Sequence, residues 1–201
     1  MRVIHRKTTP KVVGGRPVRK NRWALTPNYR NTDQLVPAID RQRPGWGYRH
    51  VLLKRDIERF IKILPDWNQL SVGLNAIVLV PGNGRYDGYH TPGKVAVSAW
   101  NRELWIESCA WYYEAHQEIF QQLGVPCEPT EEGGFLCQFT ESTVRAYQLL
   151  HILLHELGHH HDRMTTKSKR KCSRGETFAE RYAISYANRI WDRYLNEFGL
   201  P

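Results

Sequence analysis

Two histidines four residues apart, with a glutamate directly after the first, constrain this chain more than any other feature. They are His155 and His159 in the run His155-Glu156-Leu157-Gly158-His159. In an α-helix, residues i and i+4 lie about one turn apart on the same face. Both imidazoles can then reach one metal ion at about 2.0–2.1 Å, the spacing of the HExxH zinc motif. Glu156 projects beside such an ion rather than onto it, where it can take a proton from a water that the metal polarises. The segment must therefore be helical, and its apolar positions agree. Thr140 serves as N-cap of a helix from Glu141 to Met164, with Val144, Tyr147, Leu150, Leu154 and Leu157 on a buried stripe. Gly158 is expected to keep bulk away from the metal side.

One helical face cannot complete a tetrahedron, so a third ligand is required from elsewhere. The next helix, Gly175 to Phe198, carries two carboxylates one turn apart, Glu176 and Glu180, and buries Ala179, Ala183, Tyr186, Ile190 and Tyr194. One carboxylate can bind the ion, and the other can accept a hydrogen bond from the far nitrogen of a ligand histidine. Ser173 and Glu176 also fit a capping box, in which Glu176 bonds back to the backbone and Glu180 becomes the ligand. Tyr182, His160 and His161 are candidate donors to an oxyanion. His151 fits a supporting or surface role better than ligation, and Asp162 could cap or orient.

The HExxH motif followed by Glu176-Thr-Phe-Ala-Glu180-Arg-Tyr-Ala resembles the gluzincin metallopeptidases, in the soluble form of the ImmA/IrrE-like group or a minimal zincin. The resemblance covers the last quarter of the chain and rests on these two short motifs. It implies Zn2+ held by His155, His159 and Glu176, with Glu180 supporting a ligand and Glu156 as the catalytic general base. Several such families carry Asp where this chain has Glu180. The implied activity is hydrolysis of peptide bonds, and the implied fold is zincin-like. In that fold a small twisted sheet packs on the active-site helix and a C-terminal ligand-bearing helix.

The rest of the sequence reads as an α+β layout without repeats. His50–Lys54 suggests a short strand, and residues 54–64 a helix that Pro65 stops. Residues 74–80, 94–100 and 134–139 read as strands, 104–111 as a strand or helix start, and 114–124 as a helix. Strands 94–100 and 134–139 are the ones expected to receive an extended peptide by strand addition.

Charge is unevenly placed. Residues 1–50 hold twelve Lys and Arg against Asp33 and Asp40, whereas the remaining 151 hold 17 basic and 18 acidic residues. Residues 1–47, with five prolines, thus read as an extended basic arm and 48–201 as the metallopeptidase domain. The arm suits an acidic partner or nucleic acid, with Trp23, Tyr29, Trp46 and Tyr48 able to stack on bases. Six basic residues between Arg163 and Arg174 form a second patch beside the motifs. Two other functions stay open: a nucleic-acid-binding protein with a structural or inactive metal site, and a metal-dependent hydrolase of non-peptide substrates. Cys109, Cys127, Cys137 and Cys172 show no CxxC spacing and read as reduced thiols of a cytoplasmic protein. With no apolar run of spanning length, no membrane association is expected.

Overall fold

The computed structural model describes residues 36–167 and 172–201, together with the backbone of 11–13 and 16–18. Strands β1 (Lys11–Val13) and β2 (Arg16–Val18) pair antiparallel. Otherwise the basic arm lies largely outside the described residues, as do Trp23, Tyr29 and residues 168–171 of the second basic patch.

The fold is mixed α+β. Its main sheet has four strands in the order β3 (Ala38–Arg41), β5 (Ala76–Val80), β7 (Lys94–Ser98) and β6 (Gly88–Thr91). The first three run parallel, and β6 turns back antiparallel on β7 with Gly88 opposite Val97 and Thr91 opposite Lys94. All five residues of β5 are buried, as expected of a strand with parallel neighbours and both faces covered. Ile77, Leu79, Val95 and Val97 face the main core, while Ala76, Val78, Val80 and Ala96 form a smaller cluster on the other face.

Four helices shape the core side. The short α2 (Trp67–Leu70) follows α1 (Lys54–Ile63), whose Asp56 carboxylate accepts from the Leu53 amide at 2.8 Å and so closes its first turn. The central helix comprises α4 (Glu141–Tyr147), a π-helical stretch (Gln148–Leu153) and α5 (Leu154–Thr165). It lies between the sheet and α6 (Gly175–Phe198). Thr140 caps it as expected, its hydroxyl accepting from the Thr143 amide at 3.1 Å. The expected buried stripe is present, but burial goes further: every residue from Ala146 to Leu154 is buried. A helix enclosed all round is a core helix, and π turns inside α-helices are frequent at functional sites. Inside it, Gln148 Nε2 donates to the Ser98 carbonyl at 2.8 Å, tying the helix to β7.

Gly158 does not face the metal side. A Cβ there would lie 3.1 Å from both Ala179 Cα and Tyr182 Cδ1, so the glycine lets α5 and α6 approach closely. Its contribution to the site is indirect, because α6 carries Glu176 and Glu180.

A second sheet orders β10 (Cys127–Pro129), β11 (Gly134–Gln138) and β9 (Trp105–Cys109), all antiparallel, with α3 (Ala110–Gln122) packed on it. The stretch 104–111 is thus both strand and helix start. The expectation of four reduced thiols is corrected here. Cys127 and Cys137 are directly opposed in the β10–β11 register, their Cα atoms 4.1 Å apart, and form a disulfide. Their pairing depends on hairpin register, which spacing alone does not show. Only Cys109 and Cys172 remain free, and the thiols no longer argue for a reducing compartment.

Two further expectations change. The His50–Lys54 strand is not formed: β4 (Tyr48–Arg49) pairs with β8 (Trp100–Asn101), and Val51 and Leu52 are buried in the coil that leads to α1. Residues 38–41, assigned by charge to the arm, pair with β5 instead. Among the described residues, no helix is long and apolar enough to cross a membrane.

Candidate metal centre

One helical turn brings His155 and His159 together in the lining of a cleft of about 510 Å3. Their Nε2 atoms lie 3.1 and 3.2 Å from one oxygen, Oε2 of Glu176. In a tetrahedral zinc site with bonds of about 2.0–2.1 Å, neighbouring donor atoms are about 3.4 Å apart. The three side chains are therefore already spaced as ligands of a single ion.

Glu180 is placed for the other role open to this carboxylate pair. Its Oε2 lies 3.1 Å from His155 Nδ1, fixing the ring so that Nε2 faces Glu176. The capping-box alternative does not form. Helix α6 begins without a side-chain cap, and the exposed Glu176 carboxylate turns to the histidines. Both nitrogens of His155 thus face carboxylates, which only accept, so the ring is drawn toward its doubly protonated form. Burial would lower its pKa, but Glu180, Glu156 and Glu176 outweigh burial and leave it raised. Such a site is suited to concentrated positive charge, which a divalent ion at the two Nε2 atoms would supply. His159 differs: burial lowers its pKa, and its Nδ1 has no hydrogen-bond partner among the described residues.

Glu156 is buried under β6. A Cβ on Gly88 would come within 2.8 Å of the Ala96 carbonyl oxygen and of Ile152 Cγ2 and within 2.9 Å of Glu156 Oε1, so glycine lets β6 pack this closely over the carboxyl group. Burial pushes the Glu156 pKa up to about 8, with His155 opposing and the charges on Glu176 and Asp87 adding to the rise. A cation at the neighbouring imidazoles favours the carboxylate form that a general base requires.

Several candidates are placed elsewhere. Tyr182, the candidate oxyanion donor, is not among the residues lining the cleft; its ring stacks on His161 at 5.4 Å and lies beside Phe178 and Tyr186. His160 is buried with Nε2 donating to the Val72 carbonyl at 2.9 Å, and His161 stacks on Phe178. Neither lines the cleft. Asp162 is fully buried and accepts from the Arg174 amide and from Arg174 Nε, both at 2.8 Å, which ties the start of α6 to α5. Arg174 is thereby withdrawn from the basic patch.

Comparisons with protein-family models, with curated proteins and with solved structures gave no match.

The cleft also has walls that the motifs did not reveal. His116 comes from α3, His151 from the π stretch, Asp87, Tyr89 and His90 from the β6 region, and Cys172 from the turn before α6. Strands 94–100 and 134–139 are both interior, since β7 lies between β5 and β6, and β11 between β10 and β9. The edge strand that lines the cleft is β6. Nothing in its short Gly-Tyr-His-Thr sequence distinguishes it from a loop.

Proposed function

We propose that this chain is a zinc-dependent peptidase of zincin-like type, with His155, His159 and Glu176 as ligands and Glu156 as general base. One observation carries the reading: both ligand-histidine Nε2 atoms converge on a single Glu176 oxygen beside a buried carboxylate. The peptide as substrate is supported by β6, an edge strand whose Gly88 touches Glu156. An extended chain added to that edge would be led past the general base. When bound, zinc supplies Lewis acidity toward the scissile carbonyl and lowers the pKa of water. Glu156 takes the proton from the attacking water and returns it to the leaving amine. Glu180 keeps His155 in the tautomer that leaves Nε2 free. The basic arm, on this reading, draws acidic partners to the enzyme.

The test measures bound zinc in the purified full chain and its cleavage of an unfolded protein. Chelation is expected to abolish cleavage, zinc to restore it, and His159→Ala to lose the activity together with the ion at the His155–His159 site. A protein that keeps zinc yet cleaves no peptide would overturn the peptidase reading and favour a non-peptide hydrolase or an inactive metal site.

The two carboxylates are separable in the same assay. Glu176→Ala is expected to remove stoichiometric zinc from the His155–His159 site. Glu180→Ala should keep it there with roughly 10–100-fold weaker affinity, the usual cost of losing a group that orients a ligand. The reverse order of effects would exchange their roles.

A further inference from the structure

We propose that the same cleft contains a second divalent-metal site, formed by His116, His151 and Glu180. The three residues come from α3, the π stretch and α6, and their candidate ligand atoms all lie within 4.8 Å of one another. His151 Nε2 is 3.7 Å from Glu180 Oε2, close to the separation of about 3.4 Å between donors on one tetrahedral ion.

The hydrogen bonds prepare each group for ligation. His116 Nδ1 lies 2.7 Å from the Tyr112 carbonyl, which can only accept, so Nδ1 carries the proton and Nε2 keeps its lone pair. A backbone carbonyl on the far nitrogen is the usual support of a metal-bound histidine. The His151 ring is stacked on Tyr147, at 5.1 Å and 12°, which fixes its plane. Glu180 Oε1 is buried and has no hydrogen-bond partner among the described residues. Fixing the tautomer of His155 needs only Oε2. It accounts neither for that orphaned oxygen nor for two further imidazoles converging on the same carboxylate.

All three residues line the cleft, so an ion can reach them from solvent. Two imidazoles and one carboxylate select borderline ions such as Zn2+, Co2+ or Ni2+ over Ca2+ and Mg2+, which prefer oxygen cages. Because Glu180 also contacts His155, the second site is coupled to the first. It does not depend on the protein being a peptidase.

The experiment titrates the metal-free full chain with Co2+ and with Zn2+, reading stoichiometry by elemental analysis and Co2+ coordination by visible absorption. Wild type is expected to bind two ions. His116→Ala and the more conservative His116→Asn should each bind one, and the double variant His155→Ala/His159→Ala should also retain one. Circular dichroism establishes that each variant is folded, and the His116 variants spare the buried His151. Wild type saturating at one ion that His159→Ala removes and His116→Ala leaves in place would overturn the second site while preserving the first. A folded double variant that binds no ion, or two ions bound by both His116 variants, would overturn it as well. Two ions bound without cleavage would instead overturn the peptidase reading and leave this site standing.

Discussion

Glu156→Gln is expected to leave zinc content within error of wild type and to lower cleavage by about 10³-fold, within the range attributed to general acid–base groups. The substitution changes no ligand, since the ion is assigned to His155, His159 and Glu176. It also preserves shape in a place with little slack, where Gly88 packs against the carboxyl group. Glutamine is always neutral, and burial already favours the neutral form of Glu156 in the absence of a cation. The variant should therefore fold as well as wild type, and its defect should be confined to the chemical step. Steady-state kinetics would show kcat falling with KM little changed, because Glu156 acts on the water rather than on the bound chain. Activity within a few-fold of wild type would exclude Glu156 as the general base. A variant that loses zinc would mean that Glu156 helps to hold the ion.

The sequence discloses this site only where its geometry is local. His155 and His159 are set by one helical turn, and the Glu176–Glu180 pair by another, so their spacing alone shows which side chains share a face. Which carboxylate meets which imidazole nitrogen depends on how α5 crosses α6. That crossing depends on Gly158 meeting Ala179, a contact that spacing within either helix does not show. The same limit applies to Tyr182. Its position six residues after Glu176 places it near the ligand helix in sequence, yet its ring points into the contact with His161 rather than into the cleft. His116, Asp87 and His90 arrive from α3 and the β6 region, with no shared period to connect them to the motif. The central helix was legible as a buried stripe but not as a helix enclosed on all sides, because His151 and Gln148 interrupt its apolar run and are buried nonetheless. The disulfide shows the same dependence on long-range register.

Asp162→Asn is expected to destabilise the protein by about 3 kcal/mol, the lower end of the cost of breaking a buried ion pair by removing one partner. The choice of the lower end follows from Arg174, which is 40% exposed and can rehydrate, whereas Asp162 is 0% exposed. For a chain of this size the melting temperature should fall by roughly 6–12 °C. Helix α6 has no side-chain cap of its own, and Asp162 fills that place from α5 by accepting from the Arg174 amide at 2.8 Å. Asparagine keeps one acceptor oxygen but sets an NH2 group against the other Arg174 donor, so the first turn of α6, which carries Glu176, is held less tightly. Zinc affinity should therefore fall along with stability, by about 10–100-fold as for the loss of a ligand-orienting contact.

The pH dependence separates this clamp from simple packing. Burial raises the Asp162 pKa, but the Arg174 guanidinium and amide outweigh it and hold the carboxyl below its ordinary value. A carboxyl depressed on folding stabilises the protein above its unfolded pKa, and that stability is lost as the pH falls through the folded value. Metal-free wild type and Asp162→Asn should thus differ most at pH 7 and converge as both are taken below the ordinary carboxylate range. Melting curves at pH 7 and at pH 3 measure that gap. Coincident curves at pH 7 would show that Asp162 does not anchor α6. A gap that persists unchanged at pH 3 would assign the effect to shape rather than charge.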